Sequence, residues 1–180
     1  MKHLHQRLLP LTASLALLCG SVIPLSADSV TFSGNGMTYF LQNDALNEGW
    51  SIHEGIFTVN GTAAYCIEPQ ETVVIGQDLY QTGSWETYSA YSSELKNRIL
   101  EYSYFGYGYG GFTDMEYWYA TQILIWQAIN PAFSATRVHR DPAYAGDGFR
   151  SPQAVDITDS INDKKNQIEE TVRLYHAGLQ

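Results

Sequence analysis

The run Glu116-Tyr-Trp-Tyr-Ala-Thr-Gln-Ile-Leu-Ile-Trp-Gln-Ala-Ile129 constrains this chain more than any other segment. Thr113-Asp-Met-Glu116 at its start has the spacing of a capping box and Pro131 stops it, so a helix ending at Ile129 is predicted. Such a helix is apolar nearly all round and belongs at the centre of a fold. Helical spacing sets Gln122 in one stripe with Met115, Trp118, Tyr119, Ile125, Trp126 and Ile129. A neutral amide among aromatics needs a partner, because burying it unsatisfied costs on the order of 1–3 kcal/mol. Two readings are open at this point. Gln122 hydrogen-bonds the backbone of a neighbouring element, or its amide carbon is bonded to another group.

Residues 1–27 read as an export signal, with Lys2 and Arg7, an apolar run from Leu8 to Leu18, and small residues near Ser26-Ala27. The apolar run is too short to span a bilayer, and Leu18 is too large to precede a lipid-modified Cys19. The remaining residues, 28–180, form one domain with room for a core and none for a second enzyme-sized domain. Loss of the signal leaves eight Lys and Arg against 19 Asp and Glu, a mature balance of −11. Nucleic acid and acidic membrane surfaces are therefore poor partners. Charged residues make up 16% and aromatic residues 13%, which excludes a disordered solvating chain. Cys19 leaves with the signal, so the mature chain keeps Cys66 alone and has no internal disulfide. Outside the cell a single cysteine is a small buried hydrophobe, an intermolecular link, or a thiol with a purpose.

The first half of the chain reads as strands. Nine acidic residues and no Lys or Arg lie between Asp28 and Leu95, in short β-rich runs broken by Gly and Asn. Val30–Phe32 and Met37–Leu41 flank Gly34-Asn35-Gly36, and Ile56–Val59 and Thr62–Ile67 flank Asn60-Gly61, a strong hairpin signal. A two-residue turn there pairs Val59 with Thr62, Phe57 with Ala64 and Gly55 with Cys66, and faces the thiol inward. Further strands are predicted at Thr72–Ile75 and Asp78–Thr82. Helices dominate the second half: Glu94 to about Tyr104, capped by Ser92 or Ser93; the central run; and a last helix with Ile161, Lys165, Ile168, Val172 and Tyr175 on one side, closed by Gly178. Residues 130–155 read as irregular. The predicted class is α+β, a sheet subdomain in the form of a small barrel or sandwich with helices packed on it.

Three segments together resemble the thioester, or TQXA, domains of Gram-positive surface adhesins. Tyr65-Cys66-Ile67-Glu68-Pro69 looks like the family's cysteine motif, Ala120-Thr121-Gln122-Ile123-Leu124-Ile125-Trp126 like its glutamine motif, and Tyr104-Phe105-Gly106-Tyr107-Gly108 like the segment between them. Leu124 departs from the family's alanine, on a side expected to face away from the Gln122 stripe. The resemblance implies a self-formed thioester between Cys66 and Gln122, with a shell of Tyr65, Trp118, Tyr119, Thr121 and Trp126 excluding water. Thr121, a tyrosine hydroxyl or a backbone N–H remain open as the oxyanion donor. The resemblance also implies a secreted or surface adhesin domain that captures a lysine amine of a host extracellular or surface protein once, without turnover, cofactor or metal. It further implies a monomeric unit, not inserted in the membrane after signal cleavage and belonging to a longer surface protein.

Other classes stay in view. A cysteine hydrolase would pair Cys66 with His53, His139 or His176 as base. A non-covalent binding module would use Trp50, Trp85 and the glycine-tyrosine loop. Asp141 with Asp147, and Asp156, Asp159 and Asp163, lack the alternating spacing of a calcium loop, and the latter two suit a helix start.

Overall fold

The hairpin that carries the cysteine segment forms in the expected register. Gly61 adopts φ of +80°, the left-handed conformation such a turn asks of glycine. Strand β4 (Ile56–Val59) pairs antiparallel with β5 (Thr62–Ala64), Val59 opposite Thr62 and Phe57 opposite Ala64. The computed structural model describes residues 30–33, 38–43, 48–53, 55–59, 61–68, 87–141 and 152–178. The predicted signal and the strands expected at Thr72–Ile75 and Asp78–Thr82 lie outside them.

Strand β1 (Val30–Ser33) joins the hairpin as the other neighbour of β4, giving a three-stranded sheet. Strand β2 (Thr38–Asn43) belongs instead to a second, four-stranded antiparallel sheet, between β3 (Glu48–His53) and β6 (Thr136–Asp141), with β7 (Val155–Asp156) outside β6. Val30–Phe32 and Met37–Leu41 therefore do not form a hairpin with each other. A glycine-rich break marks where a strand stops without choosing its partner, and pairing remote in sequence decided both. The α+β expectation holds as these two small sheets with helices, and among the described residues neither closes into a barrel.

Helix α1 (Ser93–Phe105) is capped by Ser92, whose hydroxyl accepts from the Leu95 N–H, and it buries Ile99, Tyr102 and Phe105. Helix α2 (Met115–Ile129) is the central run, buried without interruption from Trp118 to Trp126. Its cap is Asp114, which accepts from the Tyr117 N–H, and not the Thr113 of the expected capping box. Glu116 cannot close that box because its carboxylate is drawn to Ser160 and Lys164. Leu124 is buried too, so the larger residue fills core and does not point to solvent. Helix α3 (Thr158–His176) buries Ile161, Ile168 and Val172, while Tyr175 remains 44% exposed with its ring 4.9 Å from that of Phe105.

The segment expected to be irregular contains a 3₁₀ turn, Pro131–Ala135, and then β6, which has β2 and β7 on its two sides. Leu41 lies opposite Val138 in this sheet, and both are fully buried. Tyr39, two residues before Leu41 on β2, stacks on Tyr119 with ring centroids 3.9 Å apart. This contact seats the second sheet against α2.

Candidate functional site

Strand β5 ends at Ala64, two residues before the cysteine, so Cys66 is not the strand residue the alternation predicted, and no pairing joins it to Gly55. The reason is visible at its backbone. The Cys66 N–H donates to Gln122 Oε1 at 2.7 Å, and the Cys66 carbonyl accepts from Gln122 Nε2 at 2.7 Å. The glutamine amide has taken the place of a strand neighbour. Trp126 Nε1, one turn further along α2, donates to the same carbonyl at 2.8 Å. Cys66 is half-buried, and its thiol donates to the Glu68 carbonyl at 3.1 Å.

Gln122 is 1% exposed, so the partner demanded by its burial is the backbone of Cys66. The structure shows the first of the two open readings, and the hydrogen-bonded backbone belongs to the residue that carries the thiol. The aromatic shell is also assembled. Tyr65 is buried and stacks on Trp118 at 5.8 Å; Trp118 meets Tyr119 edge-on at 5.1 Å; Trp126 packs against Phe133 at 5.5 Å. Burial pushes the Tyr65 phenol well above its usual value. That hydroxyl and the Trp118 indole N–H are buried without a hydrogen-bond partner among the described residues.

Thr121 faces another way. Its hydroxyl donates to the Tyr117 carbonyl at 2.7 Å and accepts from the Tyr107 N–H at 3.0 Å, tying α2 to the glycine-tyrosine loop. A side chain at Gly106 would collide with that hydroxyl and with the Tyr102 carbonyl, which explains a glycine at the start of the loop. Of the three candidate donors, the backbone N–H of Cys66 is the one bonded to the Gln122 oxygen.

Glu68 enters the sequence reading only as a member of the cysteine motif, with no role of its own. Its carboxylate accepts from the Thr87 hydroxyl at 2.9 Å, which brings residues 87–91 beside the cysteine segment. Charges of Glu68 and Cys66 act on the Tyr91 phenol, whose pKa is raised first by burial and then by them. No sequence periodicity connects residues 68 and 87.

Two of the three candidate bases for a cysteine hydrolase are engaged at other junctions. His139 on β6 lies 3.5 Å from Asp156 on β7, and His176 on α3 lies 2.9 Å from Glu101 on α1. The side chains of His53 and Trp50, and all of Trp85 and Asp147, fall outside the described residues. Among the described residues no group of three His, Cys, Asp or Glu is placed to hold a metal ion, and no helix is long and apolar enough to cross a membrane.

The family model "Thioester domain" matches residues 63–170, more than half of the chain. Neither the curated proteins nor the solved structures gave a significant match. The cysteine segment, the glutamine that grips its backbone and most of the helical layer lie inside the matched span, and the chain belongs to the thioester domain family.

Proposed function

We propose that Cys66 and Gln122 form an intramolecular thioester and that the domain uses it to capture a primary amine covalently. Thioester domains are covalent-binding adhesin modules and not a family of catalytic enzymes. The observation that carries the residue assignment is the two-bond clamp between the Gln122 amide and the Cys66 backbone.

The clamp suits the chemistry. Two hydrogen bonds, each of 2.7 Å, hold the Gln122 amide against the residue that carries the thiol. Proximity of this kind replaces the entropy cost of a bimolecular encounter. As the sulfur–carbon bond forms, negative charge gathers on Oε1, where the Cys66 N–H already sits at hydrogen-bond distance as an oxyanion donor. The carbon–nitrogen bond then breaks, the thiol proton passes to the leaving nitrogen, and neutral ammonia departs. The buried faces of Tyr65, Trp118, Tyr119 and Trp126 keep water from the product.

In the capture step an amine attacks the thioester carbon, Gln122 becomes joined to it by an isopeptide bond, and Cys66 is released as a thiol. The target is a lysine of a host extracellular or surface protein, captured once. The protein is exported through residues 1–27 and acts as a monomeric unit of a longer surface protein. The test is intact mass. The purified mature domain is expected to weigh one ammonia less than its sequence and to gain methylamine on incubation. Cys66→Ala is expected to restore the full mass and abolish the adduct. A wild-type domain of full sequence mass whose thiol reacts at once with a thiol reagent overturns the reading.

A further inference from the structure

We infer that the Glu68 carboxylate is a specificity and positioning group that draws a cationic amine to the thioester and takes up its proton. This rests on the thioester reading above and assigns a role that the reading does not need.

The groups that hydrogen-bond the Cys66 backbone, Gln122 and Trp126, are neutral and buried. They form the inner wall. On the other side the thiol points at the Glu68 carbonyl, 3.1 Å away, so Glu68 and Cys66 share one turn of irregular chain. The Glu68 side chain is half-buried and fixed by the Thr87 hydroxyl at 2.9 Å. Thr87 precedes Tyr91 by four residues, so this hydrogen bond brings the chain around residues 87–91 to the cysteine segment. The indole and amide close one side of Cys66, and the half-buried Glu68 carboxylate is the charged group two residues along the same segment from the thiol.

A lysine arrives as an ammonium ion, which attracts a carboxylate but cannot attack until it loses a proton. Conversion of thioester and alkylammonium into amide and thiol forms one carbon–nitrogen bond, breaks one carbon–sulfur bond and removes two protons from nitrogen. One proton ends on the Cys66 sulfur. The other has to reach solvent, and Glu68 is the carboxylate placed to relay it. The stretch from Asp28 to Leu95, which has no Lys or Arg, adds no competing cation from its own residues.

The test compares methylamine, cationic near neutral pH, with hydroxylamine, which is uncharged there. Adduct formation is followed by intact mass on the mature wild-type domain and on Glu68→Gln, Glu68→Asp and, as a distant charge control, Glu94→Gln. A wild-type domain without the ammonia deficit overturns the thioester reading itself and leaves nothing for Glu68 to act on. Where the deficit is present, Glu68→Gln is expected to lower the methylamine rate relative to the hydroxylamine rate by about tenfold or more. Glu68→Asp should recover part of that ratio and Glu94→Gln should match wild type. An unchanged ratio in Glu68→Gln, or an equal loss with both amines, overturns the assignment. If Glu68→Gln does not load the thioester, Thr87→Val, which frees the carboxylate without removing it, is read in its place. A lowered ratio there supports the role and an unchanged ratio overturns it.

Discussion

The carbonyl of Cys66 accepts two hydrogen bonds, from Gln122 Nε2 and from Trp126 Nε1. Formation of the proposed thioester would remove the first donor as ammonia and leave the indole bond to the cysteine segment in place. Trp126→Phe is therefore expected to speed hydrolysis of the thioester, seen as faster regain of mass on storage, and to cost about 0.5–1.5 kcal/mol through the lost hydrogen bond. Tyr65 is the opposite case. Its hydroxyl lies beside Thr121 and the Tyr107 amide with hydrogen-bond geometry to neither, so Tyr65→Phe removes an unsatisfied group. Its melting temperature should equal or exceed that of wild type, and a clear loss would show that the hydroxyl is bonded after all. The contact of Cys66 with Gln122 was legible in the sequence because each is chemically out of place: a single cysteine after residue 27, and an amide in an aromatic stripe. Glu68 was not. Its place beside the thiol depends on residue 87 returning to the same spot, and local pattern carries no information about such a return.

Among the elements, α2 was the most legible, since an all-apolar run between a capping signal and a proline has few other solutions. Strand β6 was the least legible. Thr136-Arg-Val-His-Arg-Asp141 contains two arginines, a histidine and an aspartate, so alternation of hydrophobicity is lost, yet Thr136, Val138, His139 and Asp141 are buried by neighbours far away in sequence. The helices are tied together by charge. Lys164 on α3 lies 2.8 Å from Glu116 on α2, and Ser160 donates to the same carboxylate. Burial alone would raise the Glu116 pKa, but the hydrogen bonds from Lys164 and Ser160 and the lysine charge hold it below its ordinary value. The stability it contributes is therefore present above the carboxylate's unfolded pKa and lost as pH falls through the folded value. Lys164 has the reverse sign: Glu116 outweighs burial and raises its pKa, so its share is lost only as pH rises through that raised value. Thermal melts should show stability declining on acidification into the carboxylate range, and Glu116→Gln should flatten that decline. At the preceding loop, Gly106→Ala forces the Thr121 hydroxyl to move, with an expected cost of about 1–3 kcal/mol in a denaturant titration.

At the scale of the whole molecule, the proposed thioester would join positions 56 residues apart, the end of the cysteine hairpin and the middle of the central helix. A cross-link across a loop of that length restricts the unfolded chain, and by the disulfide analogy is worth at most about 4 kcal/mol. The loaded domain should therefore melt above both Cys66→Ala and the methylamine-opened form, a comparison one calorimeter series can make. Capture exchanges this internal tie for an external one, and the exchange decides where a tethered cell would pull. In the proposed capture the rope is fastened to Gln122, in the middle of a helix enclosed along nine successive residues, and not to the hairpin or to an end of the chain. Tension on an attached host protein would enter through the part of the domain with most surroundings to share it, so that extracting the anchor would require pulling the core apart around it.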